Sequence, residues 1–184
     1  GELYFRQEGE GMLIGTYEQD GKSWAPHDTP WDFDTELLPP DLDRITDSLK
    51  VGFAHFPAFT DAPIKQIVNG PFTFTPDGNP LVGPVCDLPN YWLASGEMAG
   101  FSQGSGVALA LSQWMIDGEP EGDIFAMDVN RFGPYASSAY AVEKGKEFYE
   151  NRFYLLCPND EWPAASQLKV STFNDRLRRT KAEF

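Results

Sequence analysis

Residues 69–118 constrain this chain more than any other stretch; they read NGPFTFTPDGNPLVGPVCDLPNYWLASGEMAGFSQGSGVALALSQWMIDG. Prolines and glycines punctuate the first half, so the backbone there must turn rather than run on. Thr75-Pro76-Asp77-Gly78 reads as a β-turn, in which Asp77 can bond neighbouring amides and Gly78 permits positive φ. Leu81 and Val82 suit a brief pairing with a neighbouring strand, and residues 91–95 read as a short buried strand. A glycine-rich corner follows, and then a helix from about Gln103 to Asp117. Its expected apolar stripe is Val107, Leu111, Trp114 and Met115, with Ser102 as a candidate cap and Gly118 at the C′ position. A strand, a small-residue turn and a helix N-terminus together make a receptor for an anion or an electron-rich ring edge.

The flanking sequence supplies further elements. Residues 3–6 and 12–17 read as strands joined by a polar, glycine-bearing hairpin loop. Pro39 and Pro40 introduce a helix whose Leu42, Ile45, Leu49, Phe53 and Phe56 recur at helical spacing, with Asp41 and Asp43 at the favoured end of the dipole. Pro57 stops it. Residues 64–69 and 153–157 read as strands, and residues 139–151 as a helix. After Gly118 the sequence turns acidic and linker-like, which suggests a boundary near residue 119. The first residue is Gly rather than Met, and the chain ends on Lys181-Ala182-Glu183-Phe184, still helix-prone, so both ends read as cut from something longer.

Composition narrows the function classes. The 184 residues allow one domain, or one and a partial second. The net charge of −14 comes from scattered acids and reads as solubility. The 14 Lys and Arg gather only weakly, at Arg176, Arg178, Arg179 and Lys181, which excludes the dense basic face that nucleic acid requires. No apolar run reaches the roughly 18 residues of a membrane span, so no membrane partner is expected. Cys86 and Cys157 stand far apart without a CxxC partner, against a disulfide scaffold or a zinc site. The default compartment is reducing: bacterial cytoplasm or mitochondrial matrix.

The candidate cofactor-binding residues are Met98, Ala99, Gly100, Phe101, Ser102, Gln103 and Gly104. The first amides of a helix lack internal partners and together carry about half a positive charge. Gly100, Gly104 and Gly106 would let a flat ring approach the backbone; they would equally permit tight packing of helix on strand. A phosphate loop fails for want of the lysine after the glycine, and the dinucleotide fingerprint fails because Leu109 stands where its third glycine belongs. His27 and His55 lack metal-ligand spacing, and no metal site is expected. His55 is read as packing or a helix-end cap and His27 as exposed. Trp24, Trp31 and Phe33 could line a cavity for a methylated amine, though a core or interface role suits them as well. No catalytic residue can be named.

These motifs, T-P-D-G-N-P-L-V-G at 75–83, the corner at 96–104 and D-V-N-R-F-G at 128–133, closely resemble the D-amino-acid-oxidase-like FAD oxidoreductases. Within that group they resemble most the dimethylglycine and sarcosine dehydrogenases. The resemblance implies an α+β fold: part of an α/β flavin domain with an antiparallel substrate-domain sheet, an incomplete glutathione-reductase-like FAD fold. Residues 1–70 would belong to the substrate-binding subdomain, 71–118 would close the FAD-binding domain, and 119–184 would begin the following middle domain. The implied activity is oxidative demethylation of an N-methyl amine, dimethylglycine or sarcosine, with FAD as cofactor, a flavoprotein or oxygen as electron acceptor, and folate held by a later domain. A helix start facing the flavin would stabilise the reduced form, which is negative around N1 and O2. Relatives often carry an arginine before the 75–83 turn to grip a substrate carboxylate; Asn69-Gly70-Pro71-Phe72 has none, as in the dehydrogenase branch. The glycine fingerprint for the ADP half of FAD, and the histidine that carries covalent flavin in several relatives, would lie upstream. The chain alone is therefore expected not to hold FAD tightly, and submicromolar binding would contradict this. A non-catalytic alternative also shares the architecture, a regulatory subunit like that of pyruvate dehydrogenase phosphatase.

Overall fold

The computed structural model describes residues 2–180; the helix-prone end at 181–184, with Lys181, lies outside the described residues. Strand β1 (Glu2–Glu8) pairs antiparallel with β2 (Gly11–Tyr17) through the two-residue turn Gly9-Glu10, as expected of a hairpin. Tyr4 faces Gly15, and its ring covers that glycine so closely that a Cβ there would lie 2.0 Å from Cζ. Helix α1 (Leu42–His55) packs on β1 at its small residues. Ser48 and Gly52 are the buried ones, and a Cβ on Gly52 would already lie 3.2 Å from Phe5. The predicted apolar stripe flanks them: Ile45, Leu49 and Phe53 are half-buried, while exposed Phe56 stacks beside Phe5 with its ring centre 4.8 Å away.

Strands β3 (Leu81–Pro84) and β4 (Trp92–Ser95) form a second antiparallel pair. Val82 is fully buried, with β4 on one side and a parallel bridge to Asp128 on the other. β4 itself is only half-buried, less than the sequence suggested. Helix α2 (Gly100–Asp117) packs across this pair through Val107, Leu111 and Trp114. Trp114 meets Trp92 edge to face at 6.3 Å and covers Gly83, whose φ of +117° leaves no room for a side chain. Gly118 ends α2 in the left-handed conformation, its N–H bonded to Trp114 O. Two expectations need correction. Met115 lies outside the buried stripe at 54% exposure. The helix begins at Gly100, so Ser102 is not its cap; its hydroxyl donates to Ala99 O within the first turn.

Short 3-10 turns at Phe125–Met127 and Val129–Arg131 lead to α3 (Ser138–Glu150), whose cap, Ser137, accepts from Tyr140 N–H. A six-residue helix α4 (Asn174–Arg179) follows. The strands expected at 64–69 and 153–157 do not form. Alternation makes a ladder only where a partner edge lies alongside, and none does among the described residues. Residues 64–69 stay extended with Ile64 and Val68 exposed, anchored by Asn69 to Leu38 N–H and Pro39 O. Residues 153–157 run into a loop in which Asp160 accepts from Cys157 N–H. Helices with small antiparallel sheets make the chain α+β, as expected.

An aromatic cluster joins the two ends of the chain. Tyr17 at the end of β2 touches Phe72, Tyr149 and Phe153, and Phe74 touches Tyr149 and Phe148. Tyr149 donates its hydroxyl to Glu18; burial and then this carboxylate push the phenol well above its ordinary range. Even so, the chain exposes 13902 Å² of surface. A compact monomer of this mass would expose roughly 8,900 Å². The excess includes large apolar side chains, among them Phe101, Ile116 and Leu109 on the outer face of α2.

Candidate functional site

The seven candidate residues form one corner, where β4 leaves the sheet and α2 begins. Gly96 makes the bend at φ +70°, and Met98 N–H bonds back to its carbonyl. Ala99 is the N-cap residue and supplies no side-chain cap. Its carbonyl accepts from the amides of both Ser102 and Gln103, whereas those of Gly100 and Phe101 have no acceptor among the described residues. The helix start therefore presents two free N–H donors and its positive dipole end.

Above the helix the space is open. A Cβ built on Gly100, Gly104 or Gly106 would meet no atom within 4 Å. Within the described residues none is needed for tight packing, and interior Gly costs a helix about 0.5–1 kcal/mol relative to Ala. Phe101 points wholly into solvent, and Ser102 lies on the surface. Gln103 turns inward, where its Oε1 is buried without a donor. A planar, electron-rich group with acceptors at its edge fits this ledge: two free amides and room over glycine. Two shallow surface hollows, of about 320 and 400 Å³, lie elsewhere, beside acidic residues near the end of α2 and along α3.

The turn beneath the corner is held by Arg131, which the sequence presents only as part of the motif at 128–133. Gly78 N–H bonds to Thr75 O, closing the expected β-turn, and Asp77 accepts from Asn79 N–H and from the Thr75 hydroxyl. Arg131 grips both Asp77 oxygens at 2.8 Å and also donates to Asn79 O and Asp128 O. Its side chain is 7% exposed. Burial works against the Asp77 charge, but Arg131, the Asn79 amide and Thr75 outweigh it and hold the carboxyl below its usual value. Asn130 ties the same segment to β3 by donating to Pro84 O and accepting from Cys86 N–H. Thr75 in turn presses on Gly96, where a Cβ would lie 2.9 Å from its methyl. No spacing rule would have paired residues 77 and 131.

The other singled-out residues stay apart from the corner. His55 bonds the Val51 carbonyl through Nδ1 at the end of α1, in keeping with a helix-end role, and His27 is exposed. Trp24 meets Phe33 at a tilt with ring centres 4.4 Å apart, while Trp31 is fully exposed, so the three do not enclose a cage. Cys86 and Cys157 are free and exposed. No helix among the described residues is long and apolar enough to cross a membrane.

The comparison that decides the family covers the corner itself. Residues 1–114 match the family model for FAD dependent oxidoreductases. The chain belongs to this family. Residues 117–171 match the model for the central domain of FAD dependent oxidoreductases. Mitochondrial dimethylglycine dehydrogenase of Mus musculus is 40% identical over 166 residues, covering 88% of this chain and 19% of that enzyme. Mitochondrial sarcosine dehydrogenase of the same species is 28% identical over 178 residues, 95% of this chain and 19% of that enzyme. The mitochondrial regulatory subunit of pyruvate dehydrogenase phosphatase, also of Mus musculus, is 30% identical over 181 residues, 96% of this chain and 20% of that protein. The chain thus spans about a fifth of the length of the curated relatives it matches. Membership makes FAD the family's cofactor.

Proposed function

We propose that this chain is the flavin-facing part of an enzyme that oxidatively demethylates an N-methyl amine such as dimethylglycine or sarcosine. Residues 1–70 form part of the substrate side, 71–118 close the FAD-binding domain, and 119–184 open the middle domain. The observation that carries the reading is the glycine ledge over α2 with its two unpaired amides, inside the segment matched to the family. Met98 to Gly104 would hold the cofactor: the Gly100 and Phe101 amides donate, and the glycines allow close approach. Bound FAD would supply the hydride acceptor for oxidation of the N-methyl carbon. The positive end of α2 favours negative charge at the ledge and so favours the reduced cofactor. Electron transfer onward to a flavoprotein or oxygen, folate held in a later domain, and residence in the mitochondrial matrix or bacterial cytoplasm belong to the same reading.

The full-length protein is expected to be yellow as purified and to bleach anaerobically on addition of dimethylglycine or sarcosine, followed by visible absorbance. A colourless protein, or a yellow one that neither amine bleaches, would favour the second reading, a non-catalytic regulatory subunit. That reading draws on 30% identity to the phosphatase regulatory subunit.

A further inference from the structure

We infer that Arg131 is a positioning residue for the cofactor corner: through Asp77 and Thr75 it fixes Gly96, and with it the direction in which the Gly100 and Phe101 amides point; this rests on the flavin reading above. The corner has little stiffness of its own. Gly96 bends at φ +70°, a backbone bond from Met98 N–H to Gly96 O closes the bend, and Ala99 gives α2 no side-chain cap. Support comes from beneath. Thr75 is 6% exposed, and its methyl presses so closely on Gly96 that a Cβ there would lie 2.9 Å away.

Two acceptors hold Thr75 in that pose. Its single hydroxyl proton is shared between Asn79 O at 2.7 Å and Asp77 Oδ1 at 3.2 Å. Arg131 grips the same two oxygens: Nη2 donates to Asp77 Oδ1 at 2.8 Å and to Asn79 O at 2.9 Å, while Nε donates to Asp77 Oδ2 at 2.8 Å. The planar fork thus locks the pair of acceptors that locks Thr75, which the point charge of a lysine does not reproduce. The arginine's own backbone is tied to β3, where Asp128 bridges to Val82 and Asn130 bonds Pro84 O and Cys86 N–H. A second cation reaches the corner directly, Arg152 Nη1 donating to the Met98 sulphur at 2.9 Å. Both arginines lie in the segment matched to the central domain, 117–171, and the corner lies in the segment 1–114. The central-domain segment therefore sets the aim of donors that belong to the other segment. Aim matters because a hydrogen bond weakens steeply off its axis, and the positive end of α2 moves with its amides.

The test uses the full-length protein, with the two-electron potential of the bound flavin and the melting temperature of the flavin-free form as readouts. Thr75→Ser keeps the hydroxyl and removes the methyl that presses on Gly96. Arg131→Lys keeps the charge and removes the fork. In each, the reduced flavin is expected to lose about tenfold more affinity than the oxidised flavin, which lowers the potential by about 30 mV. A merely structural role would lower the melting temperature and leave the potential unmoved. An unchanged potential in either folded variant overturns the inference, and if Arg131→Lys does not fold, Thr75→Ser decides it alone. Parent-like potentials in a protein that holds FAD count against Arg131 only. A full-length parent that holds no FAD would overturn the flavin reading and this inference together.

Discussion

Replacing Arg131 by Met is expected to destabilise the chain by about 3 kcal/mol, because it leaves a part-buried carboxylate without its counter-charge and takes one donor from each of two carbonyls, Asn79 O and Asp128 O. The side chain is almost fully enclosed and makes four hydrogen bonds, two of them to Asp77. Urea unfolding measures the loss, and an unchanged midpoint would mean that the network contributes little. A pH series gives a second readout with a definite sign. Asp77 has a depressed folded-state pKa, so it contributes stability above the ordinary carboxylate value of 3.8. That contribution disappears as pH falls through the depressed value. In Arg131→Met the burial remains while the opposing guanidinium is gone, so the acid-side loss should flatten or reverse.

The second large effect is at Gly83. Substitution by Ala is expected to cost about 3 kcal/mol, from a strained positive φ together with overpacking. The new methyl would lie 2.6 Å from the Trp114 ring, at a φ of +117°. Trp114 cannot swing away freely, since it is wedged against Trp92. The measurement is urea unfolding followed by tryptophan fluorescence, which also reports separation of α2 from the sheet. A variant as stable as the parent, with unchanged emission, would show that α2 is not held through Gly83.

Helices α1, α2 and α3, the hairpin and the 75–78 turn are legible because each is specified locally. Helical spacing from Leu42, Gly118 at φ +88° and a Thr-Pro-Asp-Gly turn act within a few residues. What was not legible depends on distant parts of the chain. The alternation at 64–69 looked like a strand because periodicity reports a face, while a ladder needs a neighbour. The start of α2 is expected late because glycine is a poor helix former and the corner through Ser102 reads as loop, whereas the helix starts at Gly100. At the site, the sequence indicated the corner but not its supports. Arg131 lies 54 residues from Asp77, Arg152 lies 54 residues from Met98, and no local pattern pairs them. The aromatic residues around Tyr17 were likewise scattered in sequence, and only the fold gathers them.

The central claim is that the open ledge at the start of α2 receives the isoalloxazine of FAD, and Gly104 tests it most directly. In the described structure a Cβ at Gly104 meets nothing within 4 Å, so Gly104→Ala has no steric reason to harm folding. The measurement is FAD affinity of the full-length protein carrying Gly104→Ala or Gly104→Val, with the melting temperature of the flavin-free form recorded beside it. The account predicts a flavin-free protein at least as stable as the parent for Ala, by up to about 1 kcal/mol, and FAD affinity that falls stepwise from Gly to Ala to Val, by at least about tenfold in total. Parent-like FAD affinity in Gly104→Val, in a protein that folds normally, would contradict it.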